Sequence, residues 1–272
     1  MIKPSAKIGP EDLKKIQLEI LDAFVDFCEK NGILYHLAYG TLLGAIRHKG
    51  YIPWDDDVDV AVMRADYKRI AREFNKTTTE YNFLCFENEN DFPYTFGKIV
   101  RTDTIAIVGV EISYPKLGVN IDIFPIDGFP NNRFLRWVSL KIMYLYKMIL
   151  NAKLIMINKE RSNLKNKIIK ILKILLFFID YKKIIKNIIA LAQKPDSKNN
   201  KFIGISVGVY NEKEVMPVYF YQGVTKAFFE GKQYNIPLRY HDILTQLYGD
   251  YMKMPKEEDR QSTHGFEAYF KE

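Results

Sequence analysis

The sequence is poor in cysteine, in long apolar runs and, through one long stretch, in acidic residues. Its two cysteines, Cys28 and Cys85, stand far apart among apolar or aromatic neighbours, with no CxxC and no companion histidine spacing. That excludes a disulfide framework or a structural zinc and leaves both as small core side chains. The longest purely apolar run, "ILLFFI" at residues 174–179, is far too short to span a bilayer. The N-terminal "MIKPSAKIGPEDLKK" has no continuous apolar signal core, so the chain reads as cytosolic. No internal repeat and no Ser-His or Cys-His arrangement stands out. What is present, 272 residues of which 47% are hydrophobic, is enough to fill one large domain or a domain with a subdomain.

The formal charge of +7 is unevenly placed. Residues 133–201 hold 17 Lys and Arg against three acids, a local +14, which leaves the rest of the chain at −7. The lysines of that middle segment are interleaved with aliphatic residues and form no nucleic-acid motif, which excludes a nucleic-acid partner and suits a packed helical subdomain or an anionic membrane surface.

Periodicity supplies the organisation. "GPEDLKKIQLEILDAFVDFCEKNGI" carries apolar residues at three-to-four spacing behind Pro10 and before Asn31 and Gly32, the pattern of a capped amphipathic helix. "ILYHLAYG" reads as a strand, "TLLGAIRHKG" as a short helix or turn, "VDVAVM" as a strand and "RADYKRIAREFNK" as a helix. The stretches "YNFLCFEN", "FGKIVRT", "TIAIVGV" and "VNIDIFPI" then alternate as strands. The order predicts an α/β (α+β) mixed sheet flanked by helices over residues 1–130, a basic amphipathic helical insert over 131–200, and a return to the first domain over 201–272. Within the insert, "NKIIKILKILLFFIDYKKIIKNIIALA" reads as a long helical stretch that "KPDSKNN" ends, and "FIGISVGVY", "FEGKQYNIP" and a helix near "RYHDILTQLYGDYMKMP" follow.

The densest chemistry lies in "GYIPWDDDVDVAV". Carboxylates at i and i+2 on a strand share a face, so Asp57 and Asp59 can grip one hard cation while Val58 and Val60 face the core. A magnesium-dependent phosphoryl-transfer site needs that arrangement, although sugar transferases carry the same DxD. Upstream, Gly40 and Thr41 offer backbone N–H groups and a hydroxyl for a phosphate at a helix start. Downstream, "NIDIFPID" places Asp122 on another strand as a third carboxylate, which either completes the metal's ligands or accepts the proton of an attacking hydroxyl. Asp55 and Asp56 lie outside the strand, as a loop pair or a second metal position. Arg47 and His48 precede them, and Arg47 is expected either to balance Asp55 or Asp56 or to reach a donor. Trp54 either packs or stacks on a cytosine ring or a quaternary ammonium group. A strand, a Gly-Thr turn, a helix, an hDhDh strand and a later hDh strand together make the layout of the nucleotidyltransferase fold.

"YGTLLGAIRHKGYIPWDDDVDVAVMRADYKRI", with "FGKIVRTDT", "VNIDIFPID", "FEGKQYNIP" and "LTQLYGDYMKMPKEEDRQSTHGF", resembles the LicD family, which is related to the fukutin group. The resemblance covers most of residues 11–130 and 225–266; the lysine-rich middle matches none of these motifs, and its role is read from composition alone. It implies a nucleotidyltransferase-like core and transfer of a substituted phosphate from a CDP-alcohol to a hydroxyl of a cell-surface glycan or its lipid-linked precursor, with release of CMP. Phosphocholine is the expected group, and phosphoglycerol, phosphoribitol and phosphoethanolamine are the alternatives. It further implies catalytic and metal-binding roles for Asp57, Asp59 and Asp122, magnesium as cofactor with manganese as its substitute, and donor contacts from Gly40, Thr41, Arg47, Lys98, Arg260 and His264. The rival readings are a DxD glycosyltransferase and a non-catalytic membrane-surface scaffold. A lipid-linked acceptor would place the enzyme on the inner face of the membrane.

Overall fold

The computed structural model describes residues 4–108, 114–155, 162–195, 199–260 and 266–272. Its helices are α1 (Pro10–Asn31), α2 (Tyr39–Arg47), α3 (Arg64–Glu73), α4 (Arg133–Leu154), α5 (Asn163–Leu175), α6 (Tyr181–Gln193) and α7 (Tyr240–Tyr248). The strands are β1 (Pro4–Ile8), β2 (Tyr35–Leu37), β3 (Asp59–Met63), β4 (Tyr81–Leu84), β5 (Gly97–Arg101) and β6 (Thr104–Val108). They continue with β7 (Asn120–Phe129), β8 (Phe202–Gly204), β9 (Met216–Pro217), β10 (Val224–Phe229), β11 (Lys232–Pro237) and β12 (Phe266–Lys271).

The main sheet runs β2-β3-β7-β5-β4, and β8 and β9 extend it from the second half of β7. Among the described residues only β3 and β7 pair in parallel; the other pairs are antiparallel. The mixed sheet flanked by helices is the expected architecture. A second sheet, β1-β12-β6, joins the two ends of the chain, and β10-β11 is a hairpin.

α1 starts on Pro10 with Glu11 and Asp12 in its first turn, where acids favour the positive end of the helix dipole. It ends on Gly32, whose φ of 61° is the left-handed conformation that glycine adopts without a Cβ penalty. Its buried stripe of Leu13, Ile16, Ile20, Phe24 and Phe27 joins the core. Each such side chain contributes roughly 1.5–3 kcal/mol by leaving water. Cys28 and Cys85 are free and buried, and burial pushes both thiols well up from their ordinary range.

Two elements depart from the sequence reading. The strand expected over "ILYHLAYG" pairs only across Tyr35–Leu37, because Tyr39 turns to a φ of 43° and already opens α2. The helical stretch expected across "NKIIKILKILLFFIDYKKIIKNIIALA" breaks between Leu175 and Tyr181, since Asp180 caps α6 by accepting the Lys182 N–H at 2.9 Å. The three helices of residues 133–193 also differ in burial. α6 sends Ile184, Ile185 and Ile188 into the main core, α4 sends Met143 and Leu150, and α5 buries nothing. The end of "TIAIVGV" and the centre of "KPDSKNN", residues 196–198, lie outside the described residues.

Candidate active site

Strand register builds the centre of the site. Asp59 of β3 sits opposite Asp122 of β7, and Asp122 sits opposite Lys98 of β5. Register partners share a face, so acid, acid and base form one row across three adjacent strands. The row closes with Lys98 Nζ donating to Asp122 Oδ1 at 2.5 Å and to Asn120 Oδ1 at 3.2 Å. The same ammonium stands 4.9 Å over the Tyr94 ring and 5.3 Å over that of Phe96. Lys98 therefore orients Asp122 between a carbonyl-type acceptor and two aromatic faces.

Backbone contacts fix Asp59. Its N–H donates to Thr41 Oγ1 at 2.8 Å, and its carbonyl accepts from the Ala38 N–H at 2.9 Å. Thr41 is only 2% exposed, so its hydroxyl, expected on a donor phosphate, positions the aspartate backbone from inside the protein. Asp57 lies in the extended lead-in to β3 rather than within the strand. Gln17 holds that lead-in, donating to the Asp56 carbonyl at 2.8 Å and accepting from the Tyr51 hydroxyl at 3.1 Å. Asp55 comes over the first turn of α2, where a Cβ on Gly40 would meet Asp55 Oδ2 at 2.4 Å. Gly40 thus sits in a helical turn rather than a free-standing one, and its missing side chain makes room for Asp55.

The carboxylates press on one another. Burial first, then the charges of Asp57, Asp122 and Asp55, holds the Asp59 carboxyl well above the ordinary range, against a smaller opposing pull from Lys98. Asp55 is pushed up to about 8, by burial first and then by the charge of Asp57 and a hydrogen bond shared with it. Among the described residues, no three His, Cys, Asp or Glu side chains converge as a ready-made metal cage. The donor set nonetheless fits a hard divalent cation: it is all carboxylate oxygen, crowded and buried, and short of positive charge.

The other expected contacts are spread more widely. Arg47 pairs with neither Asp55 nor Asp56, because its guanidinium is spent on the Tyr251 carbonyl at 2.8 Å and the Lys253 carbonyl at 3.4 Å beyond α7. Arg260 donates to the Pro255 carbonyl at 3.0 Å and stands 5.6 Å over the Trp54 ring, which His48 meets edge-on. Trp54 is therefore already stacked by a cation from its own chain. His264 lies outside the described residues.

An aromatic wall beside the carboxylates has no signal in the periodicity. Tyr39 packs edge-on to Phe124 and lies 5.6 Å from Tyr210, which meets Tyr248 at 5.4 Å and an angle of 81°. The charge of Asp59 is felt at all three tyrosine hydroxyls. Behind them Glu214 is buried and accepts from Tyr39 Oη at 2.7 Å and from the Tyr210 N–H at 3.3 Å. These contacts hold Tyr39 in its positive-φ conformation, which costs of order 1 kcal/mol for a residue with a Cβ. Gly208 leaves room for them, since a Cβ there would meet Tyr39 Oη at 2.1 Å and Glu214 Oε1 at 2.3 Å.

Comparison with known proteins places the chain in a family. Residues 32–153, which hold β2, α2, β3 and the paired β7, match the LicD/FKTN/FKRP nucleotidyltransferase domain. Over 97% of its length the chain is 34% identical to lipopolysaccharide cholinephosphotransferase LicD of Haemophilus influenzae, of which it covers 98%. A shorter stretch, 24% of the chain, is 57% identical to an uncharacterized protein of Rickettsia prowazekii, of which it covers 32%. With the likeness to the Haemophilus protein running almost end to end and the domain match falling on the carboxylate strands, the chain belongs to the LicD family.

Proposed function

We propose that this protein transfers phosphocholine from CDP-choline to a hydroxyl of a cell-surface glycan, releasing CMP. The observation that carries the reading is the in-register row of Asp59, Asp122 and Lys98, flanked by Asp57 and Asp55. The name of the Haemophilus relative supplies the transferred group and the class of acceptor.

In the proposed reaction the acceptor oxygen forms a bond to the phosphorus that carries choline, and the bond from that phosphorus to the CMP oxygen breaks. CMP leaves with the electron pair, and the acceptor's proton passes to Asp122. Lys98 fixes where that carboxylate sits, and a strong base is not required because phosphoryl transfer proceeds through a loose transition state and depends mainly on positioning and charge. Asp57 and Asp59 would hold magnesium beside Asp122, and the bound ion supplies charge neutralisation for the donor diphosphate. Tyr210 and Tyr248, backed by the buried Tyr39, are the rings placed to meet the trimethylammonium group, with the carboxylates nearby adding a negative field.

The test is CMP release from CDP-choline, CDP-glycerol, CDP-ribitol and CDP-ethanolamine, with magnesium and with or without lipopolysaccharide as acceptor. Acceptor-dependent release, fastest from CDP-choline, is expected. Asp59→Asn should lower kcat by about 10²–10³-fold, and Tyr210→Leu should erase the preference for choline. Absence of CMP from every donor would sink the reading, and release of a nucleoside diphosphate from a nucleotide sugar would replace it with a glycosyltransferase.

A further inference from the structure

The helix α5 is turned the wrong way for a protein surrounded by water. Leu164, Ile168, Ile171 and Leu175 recur at four, three and four residues, one stripe of the helix, and Phe178 continues the spacing just past its end. An amphipathic helix normally directs such a stripe at the core. Here every member faces solvent, with Leu164 69%, Leu175 70% and Phe178 93% exposed. The partly covered positions Asn166, Ile169, Lys173 and Leu176 lie on the opposite side, roughly half a turn away at 3.6 residues per turn. This orientation is held from behind: Lys153 of α4 donates to the Leu176 carbonyl at 2.8 Å and the Phe177 carbonyl at 3.2 Å. Lys165, Lys167 and Lys170 flank the stripe and are exposed.

Charge identifies what covers it. Residues 162–194 contain eight lysines and a single acid, Asp180. A second copy docking through this face would bring the same lysines against one another, whereas an anionic bilayer offers hydrocarbon for the stripe and phosphate for its flanks. Among the described residues no helix is long and apolar enough to cross a membrane, so α5 would lie in the interface.

We propose that α5 is a membrane-docking helix for anionic phospholipid, inserting Leu164, Ile168, Ile171, Leu175 and Phe178 between acyl chains and setting Lys165, Lys167 and Lys170 on the headgroups.

Flotation of the whole chain with vesicles of phosphatidylcholine alone, or of phosphatidylcholine mixed with phosphatidylglycerol, tests this without any turnover, so the result is separate from the transferase reading. The chain should float with the mixed vesicles and far less with the neutral ones. Changing Lys165, Lys167 and Lys170 to Gln should weaken binding about five-fold per residue, the equivalent of about 1 kcal/mol each. Leu175→Ser with Phe178→Ser should abolish flotation while leaving the thermal midpoint unchanged, because both side chains are exposed. Failure to float, equal flotation on both vesicles, or binding that survives these substitutions would overturn the proposal. So would a dimer that fails to float and that Leu175→Ser with Phe178→Ser dissociates.

Discussion

Glu214 has one oxygen on the Tyr39 hydroxyl and sits behind the aromatic wall rather than in the carboxylate row. Burial pushes it up to about 7, against hydrogen bonds from Tyr39 and Tyr210 and the charge of Lys147. Its folded pKa lies above the unfolded value of 4.5, so the folded state holds this proton more tightly. The resulting stabilisation is complete below pH 4.5 and is lost as pH rises through about 7. Glu214→Gln should therefore reduce the fall in stability across that window by roughly 3 kcal/mol, with Asp55 and Asp59 keeping the slope they contribute, as read from urea denaturation at a series of pH values. An unchanged slope would remove Glu214 as its source. At this scale the sequence reading was uneven. Strand alternation placed Asp59 and Asp122, because an hDh pattern encodes which face a carboxylate takes. It could not place Arg47, whose partners are carbonyls some 200 residues away, or the three tyrosines, which meet only through tertiary packing.

Among the elements, α3 is fastened to the sheet by a buried ion pair. Arg64, the first residue of α3, donates to both oxygens of Asp127 on β7 at 2.7 and 2.8 Å, and the Ser206 hydroxyl donates to the same carboxylate at 2.9 Å. Both charged side chains are nearly fully buried, and Glu87 reaches the Arg64 guanidinium only at 3.7 Å, so removing Asp127 leaves that charge poorly compensated. Asp127→Ala should cost about 3–5 kcal/mol in chemical denaturation; a loss below about 1 kcal/mol would mean that water or Glu87 replaces the partner. "RADYKRIAREFNK" shows only an amphipathic helix with Arg64 at its start, and nothing local marks that arginine for burial. The same limit explains the two departures in element boundaries. Tyr39 has good strand propensity, but its contacts with Glu214 and Phe124 favour a positive φ. The apolar period runs unbroken through residues 174–179, yet a single capping aspartate divides the helices. Strong periodicity was read correctly in α1, whose proline start and glycine stop are local signals.

Across the whole molecule, charge is sorted into a basic stretch over residues 133–201 and an acidic remainder, and folding concentrates part of that acid at one point. A ligand bound by the native state alone stabilises it by mass action, about 2.7 kcal/mol at one hundred times its Kd. Magnesium should accordingly raise the thermal midpoint of the protein over a chelator control, and Asp59→Asn should abolish the increment; an identical increment in that variant would place the ion elsewhere. The parallel pairing of β3 with β7 also bears on how such a chain can vary. Asp59 meets Asp122 only in one frame, and Val58 and Val60 beside it point to the core. Inserting one residue within β3 would exchange carboxylate for valine at the site and bury a charge in the core. In the long connection from Met63 to Asn120 the same constraint falls on β5, where Lys98 must meet Asp122, and not on the turns between its elements. Length changes should therefore be tolerated in the surface turns of that connection and rejected in the five residues of β3, so that a deletion scan would map the site without any substrate.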